Sequence, residues 1–126
     1  MNLLDTQIYE IIGDDGFTRL IAAFYRRVPG DDILGPMYAS RDLGEAEWRL
    51  REFLNGRFGG PTRYIEKRGH PRLRMRHNTF RIDQRARDRW LSLMEAALME
   101  AKLPEAVVPQ LRSFFQNTAT FMINSA

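Results

Sequence analysis

No cysteine occurs among the 126 residues, which excludes disulfides, thiolate nucleophiles, iron–sulfur clusters and cysteine zinc sites. That absence sits easily with a reducing cytosol. No apolar run reaches about 18 residues, the length a membrane-spanning helix requires, and no basic start leads into an apolar leader. A soluble, unprocessed, cytoplasmic chain is the expectation. Strand signals, internal repeats, low-complexity tracts and domain linkers are missing too. What remains is one all-α domain over residues 1–126, long enough to bury roughly two-thirds of its unfolded surface without staples. The pI near 9.7 admits nucleic acid or a membrane surface as partner, but a net charge of +3 is too small to favour either strongly.

Histidine is almost missing as well, and both copies fall in one stretch, Gly69-His70-Pro71-Arg72-Leu73-Arg74-Met75-Arg76-His77. That stretch lies in the most basic part of the chain. Residues 63–89 hold ten Lys/Arg against three Asp/Glu, whereas the remainder holds nine against thirteen. A concentrated positive field with an imidazole in it suits an anionic partner that also offers something to coordinate. Haem has both properties: an iron that takes a histidine axially and two propionates that need cations. His70 precedes proline and is pushed out of the α region; Pro71 suits the first turn of a helix. His77 is then predicted two turns inside that helix, with Leu73, His77 and Phe80 on one face. On this stretch alone the alternative stands open: a partly exposed histidine on a basic helix.

Along the chain, each patterned segment reads as helix. Asp5 is predicted to cap a short one carrying Ile8, Ile11 and Ile12, which stops at Gly13. Asp14 or Asp15 then caps a longer one, where Phe17, Leu20, Ile21, Phe24, Tyr25 and Val28 keep helical spacing without a miss. Pro29-Gly30 ends it, and residues 31–38 read as a turn or short 3₁₀ piece. Asp42 caps a helix with Leu43, Ala46, Leu50, Phe53, Leu54 and Phe58 on one side, broken at Gly59-Gly60-Pro61. Residues 61–70 read as an irregular connection. After the histidine helix, Asp83 caps a helix with Trp90, Leu91, Met94, Ala97, Leu98 and Ala101. Leu103-Pro104 ends that one, and Val107, Val108, Leu111, Phe114, Phe115, Ala119 and Met122 mark the last.

Four pieces of this pattern together resemble the truncated haemoglobins of the second group, the O type. They are Ala23-Phe24-Tyr25; Gly59-Gly60-Pro61-Thr62 with Tyr64; the nine residues from Gly69 to His77; and Trp90, thirteen residues after His77. The resemblance covers nearly the whole chain. It departs at Gly13-Asp14, where the family often has Gly-Gly. It implies a truncated globin fold, a two-over-two helical sandwich around a haem, with helices at 15–28 and 42–58 facing those at 83–102 and 105–124. It further implies b-type haem, iron protoporphyrin IX, with His77 as the proximal iron ligand; the backbone argument separately favours His77 over His70.

The position at which the family carries a distal histidine is Ala46 here, and a methyl group donates no hydrogen bond. Tyr25, Tyr38 and Trp90 resemble the family's three polar distal residues. Trp90 is the preferred donor to a bound ligand, since an indole N–H can only donate. Phe24, Leu50, Phe53, Leu73 and Met94 are expected to line the haem or the ligand path. Arg49 and Arg76 are the leading propionate cations, with Tyr64 a hydroxyl donor. Arg72, Arg74, Arg81, Arg85, Arg87 and Arg89 read as a solvated face that leaves room for an acidic partner such as a reductase. The function implied is reversible binding of oxygen, nitric oxide and carbon monoxide. Three distal donors suit redox chemistry on the ligand (nitric oxide dioxygenation or peroxidase-like turnover) better than transport. Monomer and homodimer both stay open. The competing class is a small basic helical module that binds nucleic acid through residues 63–89, which would be colourless and strongly salt-dependent.

Overall fold

In the computed structural model, which describes residues 3–78 and 80–126, every regular element is helical. The order is α1 (Ile8–Arg27), α2 (Leu34–Tyr38), α3 (Leu43–Arg57), α4 (Arg63–Arg68), α5 (Leu73–Arg76), α6 (Gln84–Ala101) and α7 (Val108–Phe121), with a 3₁₀ turn at Asp5–Gln7 before them. α1 packs against both α3 and α6, and α6 against α7. Phe53 and Phe58 of α3 and its C-cap meet Phe114 of α7, with ring centroids 6.4 and 5.0 Å apart. Two helix pairs thus close on one core, the two-over-two arrangement expected.

The predicted stripe of α1 supplies the centre of that core: Phe17, Leu20, Ile21, Phe24 and Val28 are fully buried. Leu54, Met94, Ala97, Leu98, Leu111 and Phe115 meet it from the other long helices. Truncating a buried Phe typically costs about 3–5 kcal/mol, so this stripe carries much of the stability. Asp42 and Asp83 cap as predicted, accepting from the N–H of Glu45 (3.1 Å) and Ala86 (2.9 Å). Asp31, ahead of α2, accepts from the N–H of Ile33 (3.0 Å) and Leu34 (2.8 Å), and residues 34–38 form a short α-helix rather than a bare turn.

Several local expectations need correction. Gly13 (φ 63°, ψ −175°) interrupts α1, as predicted, but neither Asp5 nor Asp14 caps there. Asp5 sits inside the 3₁₀ turn and pairs with Arg57 at 2.9 Å. Asp14 accepts from Tyr9 (2.9 Å), Asn55 (2.9 Å) and Arg63 (2.9 and 3.0 Å), tying the break in α1 to α3 and α4. The Arg63 hydrogen bond, acting against the effect of burial, holds the Asp14 carboxyl below the usual carboxylate range. Ile11 points outward, at 43% exposure. The supposed irregular connection at 61–70 contains α4.

Gly59 and Gly60 turn the chain directly under the 3₁₀ segment. Gly59 has φ 99°, and a Cβ there would lie 2.0 Å from the Thr6 carbonyl oxygen; one on Gly60 would strike the Tyr9 ring at 2.5 Å. The Phe58 carbonyl meanwhile accepts from Tyr9 N at 3.0 Å. Gly59→Ala is therefore expected to lose at least the roughly 1–3 kcal/mol of left-handed backbone strain, with the clash in addition. A urea titration measures it, and an unchanged midpoint would contradict this close approach.

Candidate functional site

The histidine segment folds differently from its simplest sequence reading. Pro71 lies before the helix, not in its first turn, because Arg72 adopts a left-handed conformation (φ 46°, ψ 51°) and is the N-cap of α5. The exposed His70 ring accepts at Nδ1 from the Arg72 N–H at 3.0 Å. α5 is only one turn long, so His77 is its C-cap (φ −95°, ψ 6°), not a residue two turns inside. The predicted i+4 relation with Leu73 nonetheless survives. His77 Nδ1 lies 2.6 Å from the Leu73 carbonyl oxygen. A carbonyl only accepts, so Nδ1 carries the proton, and in the neutral ring Nε2 keeps its lone pair. That tautomer suits an imidazole ligand whose outer nitrogen is fixed by a backbone acceptor.

The segment after His77 is strapped by the C-terminal tail. Asn124 accepts from Ile82 N at 2.9 Å and returns its own backbone N–H to the Ile82 carbonyl at 2.9 Å. Its side-chain amide donates to the carbonyls of Phe80 (3.0 Å) and His77 (3.3 Å). Leu73 and Phe80 pack on the small cluster of Ile82, Ala86 and Met122. Asn124 went unnoticed in the sequence because it acts across more than forty residues, with no local pattern to mark it.

A run of rings joins the other predicted residues. The Phe24 ring contacts Trp90 (centroids 5.1 Å) and Tyr25 (5.0 Å); Tyr25 contacts Tyr38 (6.0 Å); Tyr38 contacts Phe80 (5.9 Å), which lies 6.0 Å from His77. α1, α2, α6 and the histidine segment thus place Tyr25, Tyr38, Trp90 and His77 in one neighbourhood. Tyr25 is buried and hydrogen-bonds to Tyr38. Burial, then the neighbouring Tyr38, holds the Tyr25 hydroxyl well above the usual phenol range. Burial also raises Tyr38, but the bond from Tyr25 works in the opposite direction. The two phenols can each donate or accept, to one another and to a bound ligand. Trp90 is half-buried, and among the described residues no group accepts from its Nε1–H.

Met94 is buried, while Ala46, Leu50 and Phe53 on α3 pack on the core with part of their surface exposed. Tyr64 is buried beside Phe53 (6.4 Å) and stacks on Trp48 at 6.2 Å, an α3 residue that nothing but its rarity marks in the sequence. The Arg76 guanidinium lies 5.9 Å from the Tyr64 ring. Arg49 is engaged elsewhere, paired with Glu45 at 3.1 Å, and Glu45 also receives Arg68. Arg87 and Arg89, expected in the solvated face, pair with Asp88 and with Asp31 and Asp32.

The donor set fits a haem: one imidazole with a free Nε2, aliphatic and aromatic walls, uncommitted Tyr and Trp donors, and a cation beside a phenol. The described residues offer no cluster of three His, Cys, Asp or Glu side chains for a bare metal ion. No described helix is long and apolar enough to cross a membrane.

The chain is similar to known globins. A profile described as "bacterial-like globin" matches residues 7–124. A group 2 truncated haemoglobin of Bacillus subtilis is 37% identical over 116 residues, spanning 92% of this chain and 87% of that protein. Among solved structures, a thermostable haemoglobin from the actinobacterium Thermobifida fusca is 49% identical and superposes with a TM-score of 0.87, covering 92% of this chain and 95% of that one. The truncated oxygen-avid haemoglobin of B. subtilis, 37% identical, gives 0.87 over 92% and 98%.

Proposed function

Because the chain belongs to the bacterial-like globin family, as a truncated haemoglobin of the second group, we propose that it binds oxygen and related diatomic ligands, nitric oxide and carbon monoxide, on a haem held by His77. A haem held there would supply an iron that takes a diatomic ligand and undergoes one-electron chemistry. The sequence holds no cysteine to form thioether links, and the haem we propose is the b-type, iron protoporphyrin IX, that the family resemblance implies. The observation that carries the assignment is the 2.6 Å contact between His77 Nδ1 and the Leu73 carbonyl, which leaves Nε2 as the coordinating nitrogen.

On the ligand side, Trp90 Nε1–H is the principal donor, with the Tyr25 and Tyr38 hydroxyls beside it. Ala46 leaves the distal helix without a donor. Phe24, Leu50, Phe53 and Met94 form apolar walls that keep water from the ligand, and Leu73 supports the imidazole. Three polar groups near one ligand favour its retention. The B. subtilis relative is described as oxygen-avid, and tight retention here suits redox chemistry on the ligand, dioxygenation of nitric oxide or peroxidase-like turnover, better than delivery.

Arg76, beside Tyr64, is placed to receive a propionate, whereas Arg49 would have to leave Glu45 first. Arg76→Ala is accordingly expected to speed haem transfer to an acceptor protein more than Arg49→Ala. Both effects should be small, since exposed ion pairs contribute about 0–1 kcal/mol. Equal rates in wild type, both single variants and the double would show that other groups hold the propionates.

Titration of haem into the haem-free chain tests the assignment. A Soret band saturating at one haem per chain is expected, with a ferrous form that takes up oxygen reversibly. A protein that stays colourless through the titration would overturn it.

A further inference from the structure

Of the chain's basic side chains, most outside one stretch are paired with carboxylates. Arg19, Arg26, Arg27, Arg49, Arg51, Arg57, Arg63, Arg68, Arg87, Arg89 and Arg112 all make ion pairs. Between residues 67 and 85 the pattern reverses. Lys67, Arg72, Arg74, Arg76, Arg81 and Arg85 are exposed and have no carboxylate partner among the described residues. The one acid in that interval, Asp83, caps α6 and neutralises none of these cations. Their charge is thus uncompensated, and it is contiguous. Lys67 lies over the Trp48 ring (4.8 Å), Trp48 stacks on Tyr64, and Tyr64 faces Arg76. Arg74 and Arg81 reach adjacent parts of the C-terminal tail, at the Ile123 carbonyl (3.4 Å) and Ser125 Oγ (3.0 Å).

The same stretch leaves apolar side chains in solvent: Ile65 is 53% exposed and Met75 55%. Aromatic, Met and Arg side chains with a charged rim are the composition that protein interfaces favour. We propose that the surface formed by α4, α5 and the turn to α6 is the docking face for a small acidic protein that carries single electrons. The choice of a compact protein over a nucleic acid follows from the charge distribution. The chain outside residues 63–89 carries thirteen acids against nine bases. Such a dipolar field orients a small anionic partner but repels a polyanion long enough to run past the patch. Exposed Ile65 and Met75 also have nothing to offer a phosphate. The inference rests on the haem reading for its purpose: one electron passes from the reduced carrier to ferric iron, giving ferrous iron and the carrier oxidised by one electron, with no atom transferred. His77 ends the helix that bears Arg74 and Arg76, so the docking face and the proposed iron ligand belong to one segment.

Oxidised flavodoxin, an acidic flavin carrier, serves as the probe, labelled and titrated with the haem-loaded chain in low salt while its anisotropy is read. The triple variant Lys67→Glu/Arg74→Glu/Arg81→Glu should weaken binding about 10-fold or more, and wild-type affinity should fall steeply with added salt. Reduction of the ferric protein by reduced flavodoxin should slow by a similar factor, while reduction by photoreduced deazariboflavin, a small uncharged donor, stays unchanged. The Gln triple variant should fall between wild type and the Glu variant. Binding that is equal in wild type and variant overturns the proposal. So does equal slowing with the small donor, which would place the damage at the haem. Duplex DNA bound more tightly than flavodoxin through the same three residues would replace the proposal with a nucleic-acid face. A chain that takes up no haem fails earlier, at its Soret band, and sinks the functional reading while the flavodoxin titration on the haem-free chain still decides whether this face docks an acidic protein.

Discussion

Replacing His77 with alanine is expected to abolish stable haem binding, whereas His70→Ala keeps it. The two rings differ in what their backbone lets them do. His70 is exposed, and its Nδ1 is occupied as the acceptor of the Arg72 N–H. His77 is half-buried at the end of α5, with Nδ1 donating to the Leu73 carbonyl and Nε2 left to coordinate. Removing even an outer-shell partner of a ligating histidine costs about 10- to 100-fold in metal affinity, so loss of the ligand itself should exceed about 100-fold. Haem transfer to an acceptor protein reads the loss directly. A His77→Ala protein with normal retention would transfer the role to another residue.

The second large effect is expected at Trp90. Trp90→Phe should speed oxygen release about 10- to 150-fold, because a hydrogen bond to a partly charged acceptor contributes roughly 1.5–3 kcal/mol. The indole N–H has no acceptor among the described residues, so a bound ligand is its natural partner. Phenylalanine keeps most of the ring packing against Phe24 and Phe115 (5.1 and 5.7 Å). Tyr25→Phe should change release less, since the Tyr38 hydroxyl remains as a donor. Tyr38→Phe should likewise change release less than Trp90→Phe. Carbon monoxide, a weaker acceptor when bound, distinguishes hydrogen bonding from access. Its release should change far less than that of oxygen. Oxygen release within about twofold of wild type in Trp90→Phe would leave Tyr25 or Tyr38 as the principal donor.

Much of this arrangement could be read from the chain because it depends on local rules. The spacing of Phe17, Leu20, Ile21, Phe24 and Val28 marks the buried face of α1, and Asp42 and Asp83 mark helix starts by a side-chain bond three residues long. The family motif around His77 singles out the imidazole. α4 escaped because six residues carry too little of a stripe to show a period. The late start of α5 at Leu73 follows from the left-handed Arg72, which nothing in its neighbours requires. Trp48 on Tyr64, Arg49 on Glu45 and Asn124 against the His77 segment are pairings between elements or side chains that compete for several partners.

Resonance Raman spectroscopy of the ferrous protein tests the role of His77 most directly, because it observes the bond between iron and imidazole. The expected result is an iron–imidazole stretching band that shifts when histidine is labelled with ¹⁵N, persists in His70→Ala and vanishes in His77→Ala. A band that survives in His77→Ala, or none in the wild type, would contradict coordination through His77 Nε2.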